Sequence, residues 1–413
     1  MRIVSGLEAA GTVERLAVRG ERTVEVEQQV RPIVDDVRHN GDKALRKFAE
    51  QWDGLQHEQP LRVTQEEMKE SWKSLPRELR KSMGIAAQNI RRFCQWQKPR
   101  SWTKTRRGIS LGQIVRALES VGCYVPGGRY PLVSTVMMTV IPAQVAGVKN
   151  ISIVSPKPSV EVLGAAAMLD VSAFYRVGGA QAIAALAHGT ESIPRVNKIV
   201  GPGNAYVTAA KKLISFDCAI DFLAGPTEAL ILSDSGNPEY IAADLVAQAE
   251  HDVESLSLFI TTSRRLAQSV SDSVQRQAEG NQIACLSLEK RGAILIAGSR
   301  KEARKWANRL AAEHITIAAD DLPFIENAGS IFIGDYSAQA AGDYASGPNH
   351  VLPTGGQARF RGGLSVSDFV KVVTVQKLSR TGLRNIAPVI ESLAGAEGLP
   401  GHANSVRVRY VRA

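Results

Sequence analysis

The sequence predicts an α/β protein of two Rossmann-like lobes on parallel sheets, with a helical N-terminal region and a small helical C-terminal segment. Two observations carry the prediction. From residue 121 onward, short aliphatic and β-branched runs alternate with longer stretches of helical periodicity, whereas the first ~110 residues read as helical. The alternation also runs twice, with a break near residue 227. Strands and helices in that order imply parallel sheets covered by helices on both faces.

In chain order, RPIVDDVRHNGDKALRKFAEQWDG places apolar residues at helical spacing. Thr64 with Glu67 has the pattern of a capping box before another helix, and Pro76 opens a long helix running to about Gln97. VKNISIVSP then reads as a buried strand and VEVLGAAAMLDV as a helix. FYRVG and GAQAIAALAHG repeat the pair, and NKIVGPGN with AYVTAAKKLIS repeats it again. After the loop DFLAGPTE the pattern restarts with ALILSDS, NPEYIAADLVAQAEHD, LSLFITTS and RRLAQSVSDSVQRQAEG. GAILIAG, the helix KEARKWANRLAAEH and SIFIGD complete it, and from Gly355 the chain is expected to be loop-rich and then helical.

A chain of 413 residues is long enough for two or more cores. Its 44% hydrophobic and 22% charged residues are those of a soluble globular protein. No apolar run reaches the roughly eighteen residues of a membrane span, and residues 1–20 lack the apolar core of a secretory signal. Cys94, Cys123, Cys218 and Cys285 are scattered without CxxC spacing, which fits a reducing cytoplasm. The net charge of +9 is densest in residues 89–108, where seven basic residues interleave with Phe93, Trp96 and Trp102. Such a patch can hold phosphates. The simpler reading, a helix end followed by a solvated connection, is preferred, and neither nucleic acid nor membrane is expected as a partner.

Ligands of doubly wound sheets sit beyond the carboxyl ends of strands, so the loops after strands are where function is expected. Four of them are rich in glycine and proline: VGCYVPGGRYP, VGGAQ, VGPGNAY and LAGPTE. Glycine lets backbone approach a ligand closely, and helices beginning beyond Gly179 and Gly203 offer N–H groups to a phosphate. Taken singly each is an ordinary tight turn. Together they point to a nucleotide or phosphate-bearing ligand, although GxGxxG is absent.

In LVAQAEHD the apolar stripe of a helix ends in Gln248 and His251, three residues apart and so neighbours on one face. His314, His350 and His402 also lie beside acids or turn residues. With Gln248, Asp343 and Glu397 these histidines supply enough imidazole and carboxylate for a metal site. Glu313 and His314 are adjacent, an arrangement that at a helix end or in a loop lets both face one pocket as an acid–base pair. A solvated helix terminus fits that spacing equally well. Cys123 has no neighbouring base and reads as an inert small residue; HExxH and GxSxG are both absent.

With these blocks in view, the chain resembles the histidinol dehydrogenase family. YVPGG, VGGAQAIAALAHGTESIP, KIVGPGNAYVTAAK, IDFLAGPTE, DLVAQAEHD, GDYASGPNHVLPT and AEGLPGHANSVRVR carry the resemblance, in family order from about residue 110 to the end. It implies oxidation of L-histidinol to L-histidine by way of L-histidinaldehyde, with zinc and two NAD. The resemblance assigns Gln248, His251, Asp343 and His402 to the metal, and Glu313 and His314 to the catalytic pair. Thr227, Gln248, His251, Glu313, His314, Asp343, His350, Glu397 and His402 match substrate-contacting positions. Tyr124, Gln181 and Asn204 match the NAD-contacting ones.

The implied organisation is an N-terminal arm (1–20), a first α/β lobe (21–123 with 228–365), an NAD-contacting lobe (124–227) and a C-terminal segment (366–413). That last segment reaches the partner's active site in a cytoplasmic homodimer. Two departures stand out: Ala312 occupies a position usually held by proline, which relaxes the backbone before the catalytic pair, and Thr227 stands where serine is also common. The alternative is a paralogue of the same family acting on another small alcohol such as sulfopropanediol, for which Arg129 would suit an anionic substrate.

Overall fold

The computed structural model describes residues 1–18, 23–127 and 131–410; Arg129 lies outside them. The chain begins with strand β1 (Arg2–Ser5) and helix α1 (Gly6–Ala17), where the sequence suggested an arm. Helices α2 (Thr23–Phe48), α3 (Gln65–Ser74) and α4 (Arg77–Gln97) follow. Thr64 caps α3 by accepting the Glu67 N–H at 3.1 Å, but the Glu67 carboxylate pairs with Arg176 instead of closing the box.

The stretch expected as a solvated connection forms a hairpin of β2 (Trp102–Arg106) and β3 (Ile109–Ala117), paired antiparallel. Its two-residue turn holds Arg107 at φ 50° and Gly108 at φ 79°. Positive φ at both positions matches the right-handed twist of the flanking strands.

The first alternating unit comprises β4 (Ser120–Tyr124), α5 (Val133–Ala146), β5 (Asn150–Val154), α6 (Val160–Met168), β6 (Ala173–Tyr175), α7 (Gly179–His188), β7 (Lys198–Val200), α8 (Ala205–Ile214) and β8 (Ala219–Ile220). The second comprises β9 (Glu228–Leu232), α9 (Pro238–Ala249), β10 (Leu256–Thr261), α10 (Arg264–Ala278), α11 (Gln282–Arg291), β11 (Ala293–Ile296), α12 (Arg300–Leu310), β12 (His314–Ile317) and β13 (Ser330–Ile333). Helix α13 (Gln339–Tyr344), strand β14 (Val370–Leu378) and helices α14 (Arg380–Ala396) and α15 (Pro400–Tyr410) complete the chain. The nine-residue β14 replaces part of the loop-rich region expected after Gly355, and pairs antiparallel with β3 along its whole length.

Among the described residues the strands make three sheets. One has the order β6-β5-β4-β7-β8 and one the order β1-β11-β10-β9-β12-β13, each parallel throughout. The third, β14-β3-β2, is antiparallel. Strand order reverses at β4 in the first sheet, which opens a crevice beyond its carboxyl end. Helix α5 is apolar around its circumference and almost wholly buried, so it belongs to the core rather than to a surface. Residues 2–5 are part of the six-stranded sheet: β1 runs along β11 from Arg2 beside Ala293 to Ser5 beside Ile296.

Candidate active site

At the β4 switch point the loops leaving β4, β5, β6 and β7 enclose a cavity of about 810 Å³. Tyr124, Gln181 and Asn204 all line it, with Asp53, Lys157, Trp52 and Tyr206. Tyr124 closes β4 and is 4% exposed; burial pushes its phenol up to about 12, so its O–H stays protonated and accepts the Gly179 N–H at 3.1 Å. Gln181, in the first turn of α7, donates to Asp53 at 3.0 Å, and Asp53 also accepts the Gly178 N–H at 2.9 Å. The Gly178 and Gly179 amides at the start of α7 are therefore committed to Asp53 and Tyr124. Asn204 caps α8 through the Val207 N–H at 3.1 Å. Nothing local in the sequence marks Asp53, a carboxylate at the end of an amphipathic helix; only the tertiary fold brings it here.

The catalytic candidates lie elsewhere. Glu313 and His314 are not at the end of a helix: α12 stops at Leu310, Ala311 takes a left-handed conformation (φ 47°), and His314 opens β12. Strand β12 is flanked by β9 and β13, so both side chains are buried, at 6% and 3% exposure. This is the amino edge of a parallel sheet, the opposite of the edge the doubly wound rule favours. The Ala312 carbonyl accepts the Gly329 N–H at 3.0 Å, which ties the backbone before the pair to the start of β13.

Glu313 Oε2 accepts the Thr227 hydroxyl at 2.5 Å and the Glu228 N–H at 2.8 Å. Burial pushes its carboxyl up to about 7, against the charge of His314 and these hydrogen bonds. On His314, Nδ1 faces the Glu228 carbonyl at 3.3 Å and Nε2 faces Asp343 Oδ1 at 3.5 Å. A carbonyl can only accept, so Nδ1 carries the hydrogen and Nε2 is the atom that gains and loses a proton. Burial works against a charged imidazole here, but Glu313 and Asp343 outweigh it and raise the pKa.

Asp343, on α13, is pushed up by burial but held below the usual carboxylate range by the hydrogen bond from His314 and the charges of His314, His350 and His251. His350 turns Nδ1 to the Asp343 carbonyl at 2.9 Å. Gln248 is buried on α9, and its amide nitrogen donates to Thr227 Oγ1, which leaves the amide oxygen for a cation. Helix α9 ends at Ala249, so His251 is not on its face as the spacing suggested; it stands exposed just past the Glu250 cap, within electrostatic reach of Asp343 and His350. Asp244, one turn before Gln248, was not anticipated. It accepts the backbone N–H of Gln339, and Gln339 also donates to Thr316 on β12, so α9, α13 and β12 are tied around Asp343.

Within one chain Gln248, Asp343, Glu313, His314 and Thr227 come together. Glu397 and His402 do not join them: both are exposed, Glu397 at the cap of α14 and His402 on α15, which packs against α14. No group of three or more His, Cys, Asp and Glu side chains that could hold a metal occurs among the described residues. The donor types nonetheless suit zinc, since an amide oxygen, an imidazole and a carboxylate leave a fourth position open. Cys123 is fully buried and its thiol is pushed up to about 12 by burial, so it is no nucleophile.

A cofactor-sized cavity at the switch point of one parallel sheet and a buried acid–base pair on a second are the equipment of a two-lobed α/β dehydrogenase. The histidinol dehydrogenase family model matches residues 17–410. The histidinol dehydrogenase of Geobacter sulfurreducens is 45% identical over 410 residues, covering 95% of this chain and 96% of that protein. That of Methanothermobacter thermautotrophicus is 47% identical over 395 residues, with 92% of each covered. The crystal structure of the enzyme from Elizabethkingia anophelis superposes with a TM-score of 0.93 at 35% identity, over 99% of this chain and 98% of that one. The chain belongs to the histidinol dehydrogenase family, and its relatives do not favour the sulfopropanediol paralogue. Among the described residues no helix is long and apolar enough to cross a membrane.

Proposed function

We propose that the protein oxidises L-histidinol to L-histidine through L-histidinaldehyde, in a cytoplasmic homodimer whose two active sites each use residues of both copies. The observation that carries this reading is His314, with a fixed Nδ1 hydrogen and a basic Nε2 beside Asp343. In the first oxidation His314 Nε2 removes the hydroxyl proton as the carbinol hydride leaves. In the second, Glu313 accepts a proton from the attacking water while His314 returns its proton to the carbonyl oxygen; the neutral His314 then takes a hydroxyl proton of the resulting diol as the second hydride leaves. Tyr124, Gln181 and Asn204 would hold NAD in the cavity they line, and it would supply the hydride acceptor for each oxidation. Zinc held by Gln248, His251, Asp343 and His402 of the second copy would orient the substrate against His314.

The exposed apolar side chains of the C-terminal segment support the dimer. Val389 and Leu393, one turn apart on α14, and Val408 on α15 are each about 60% exposed, and large apolar side chains left in water on adjacent helices support an interaction surface there. The direct test is NAD reduction with L-histidinol before and after chelation. Turnover that is lost on chelation and restored by zinc is the expected result. Absence of turnover with L-histidinol by the zinc-loaded enzyme would overturn the reading.

A further inference from the structure

We propose that the buried ion pair of Lys211 and Asp221 is a positioning device for the cofactor loop, setting the affinity for NAD rather than the rate of chemistry. The inference rests on the NAD reading of the cavity. Residues 201–204 join β7 to α8 and lead into Asn204. Gly201 has φ 116°, a conformation that L side chains rarely adopt, and a Cβ there would lie 2.1 Å from the Tyr124 carbonyl oxygen. The backbone thus crosses directly over the end of β4, between two residues that line the cavity.

Both polar groups of this one residue are gripped by the ion pair. The Gly201 N–H donates to Asp221 Oδ2 at 2.7 Å, and the Gly201 carbonyl accepts from Lys211 Nζ. Lys211 Nζ meets Asp221 Oδ1 at 2.7 Å, which closes a ring through a single residue, Gly201. The lysine and aspartate side chains are 2% and 1% exposed. Asp221 Oδ1 also accepts the Phe222 N–H at 2.6 Å, so the carboxylate is held by backbone on both sides.

Removing two charges from water is costly, and well-packed apolar residues of similar volume are often no less stable. Apolar residues cannot bond both Gly201 groups, however, and that is what this pair adds. Lys211 also anchors the loop to the helix that Asn204 caps, about two turns along α8. Asp221 opens the connection to Thr227, which Thr208 on α8 holds by donating to the Ala224 carbonyl at 2.8 Å. Glu313 and Thr227 are fixed by bonds of their own, so loss of the clamp displaces the cofactor loop first.

The double variant Lys211→Met/Asp221→Asn removes both charges at nearly constant volume and keeps an amide oxygen for one N–H. In a folded protein, the expected result is a Kd and KM for NAD raised about tenfold or more, with kcat at saturating NAD and KM for L-histidinol within about threefold of wild type. A folded variant with wild-type affinity for NAD overturns the proposal, as does one whose kcat falls while KM for NAD holds. Where the double variant does not fold, Lys211→Gln removes the charge and, one bond shorter than lysine, draws its donor back from the Gly201 carbonyl. Its KM for NAD should rise by about threefold, and a wild-type value there is equally decisive against the clamp. A wild-type protein that does not bind NAD removes the underlying cofactor reading itself, an outcome distinct from a variant that binds as wild type does.

Discussion

The Thr227 hydroxyl donates to Glu313 Oε2 at 2.5 Å while its oxygen accepts the amide of Gln248. One side chain thus connects Glu313, just before β12, with the buried Gln248 amide on α9. Replacing Thr227 by valine keeps the shape but leaves a buried amide unpaired and Glu313 with one donor fewer. A buried polar group left unsatisfied costs about 1–3 kcal/mol, so kcat/KM for L-histidinol should fall roughly 10- to 100-fold. Thr227→Ser keeps the hydroxyl and should stay within about threefold of wild type. Steady-state NAD reduction checks both, and equal losses in the two variants would assign the effect to packing.

Glu313→Gln preserves an oxygen for Thr227 and for the Glu228 N–H but removes the group that receives a proton from water. The aldehyde oxidation should fall by about 10²- to 10⁴-fold, while oxidation of the alcohol, which relies on His314, falls less. NADH formation measured separately from L-histidinol and from L-histidinaldehyde separates the two steps. Burial has carried the Glu313 carboxyl up to about 7, so wild-type aldehyde oxidation should rise with pH through that region as the carboxylate forms. The Gln variant should lack that limb.

Asp244 offers a stability counterpart. Burial pushes its carboxyl from the ordinary 3.8 to about 6, with Asp343 adding to the shift and the Gln339 N–H opposing it. A carboxyl whose folded pKa is raised stabilises the fold most below its unfolded value and loses that contribution as pH rises through the folded one. The full shift corresponds to a ceiling of about 3 kcal/mol, which solvent screening of this half-buried group reduces to about 1 kcal/mol. Asp244→Asn should therefore gain about that much over wild type at pH 8 and nothing near pH 3. Urea unfolding of chelator-treated protein across that range is the measurement, and a pH-independent difference would rule out the ionisation.

Much of this fold is legible because its elements are buried on a regular period. The strands from β5 to β11 are short aliphatic runs, and the helices between them alternate with those runs. What the sequence conceals follows from exposure and from unusual stops. All five residues of β2 are exposed, so neither face writes an apolar pattern. Helix α12 ends in Ala311, where a left-handed stop is ordinarily glycine or asparagine, and two alanines let the helical reading run on to His314.

The site divides in the same way. Tyr124, Gln181 and Asn204 sit in glycine-rich loops whose composition announces close backbone approach. Asp53, Asp244, Lys211 and Asp221 are charged residues on otherwise ordinary stretches, and only tertiary contacts bury them. The cavity lies beyond the carboxyl ends of the five-stranded sheet, whereas Glu313 and His314 lie at the amino edge of the six-stranded one, an edge that no local pattern in the sequence specifies.

Glu397 and His402 lie away from Asp343 in the chain that carries them, and this gives the shared-site reading its sharpest test. Asp343→Asn and His402→Asn should each abolish activity in a dimer of identical chains, since either change damages both sites. In a mixed dimer with shared sites, one site carries both lesions and the other carries none. Random pairing of equal amounts therefore restores about a quarter of wild-type activity, and heterodimers purified through two different tags restore about half. Should α14 and α15 fold back onto their own chain's site instead, every site in the mixture would retain one lesion. Inactive purified heterodimers, or a monomeric variant with full activity, would exclude the contribution of the second copy.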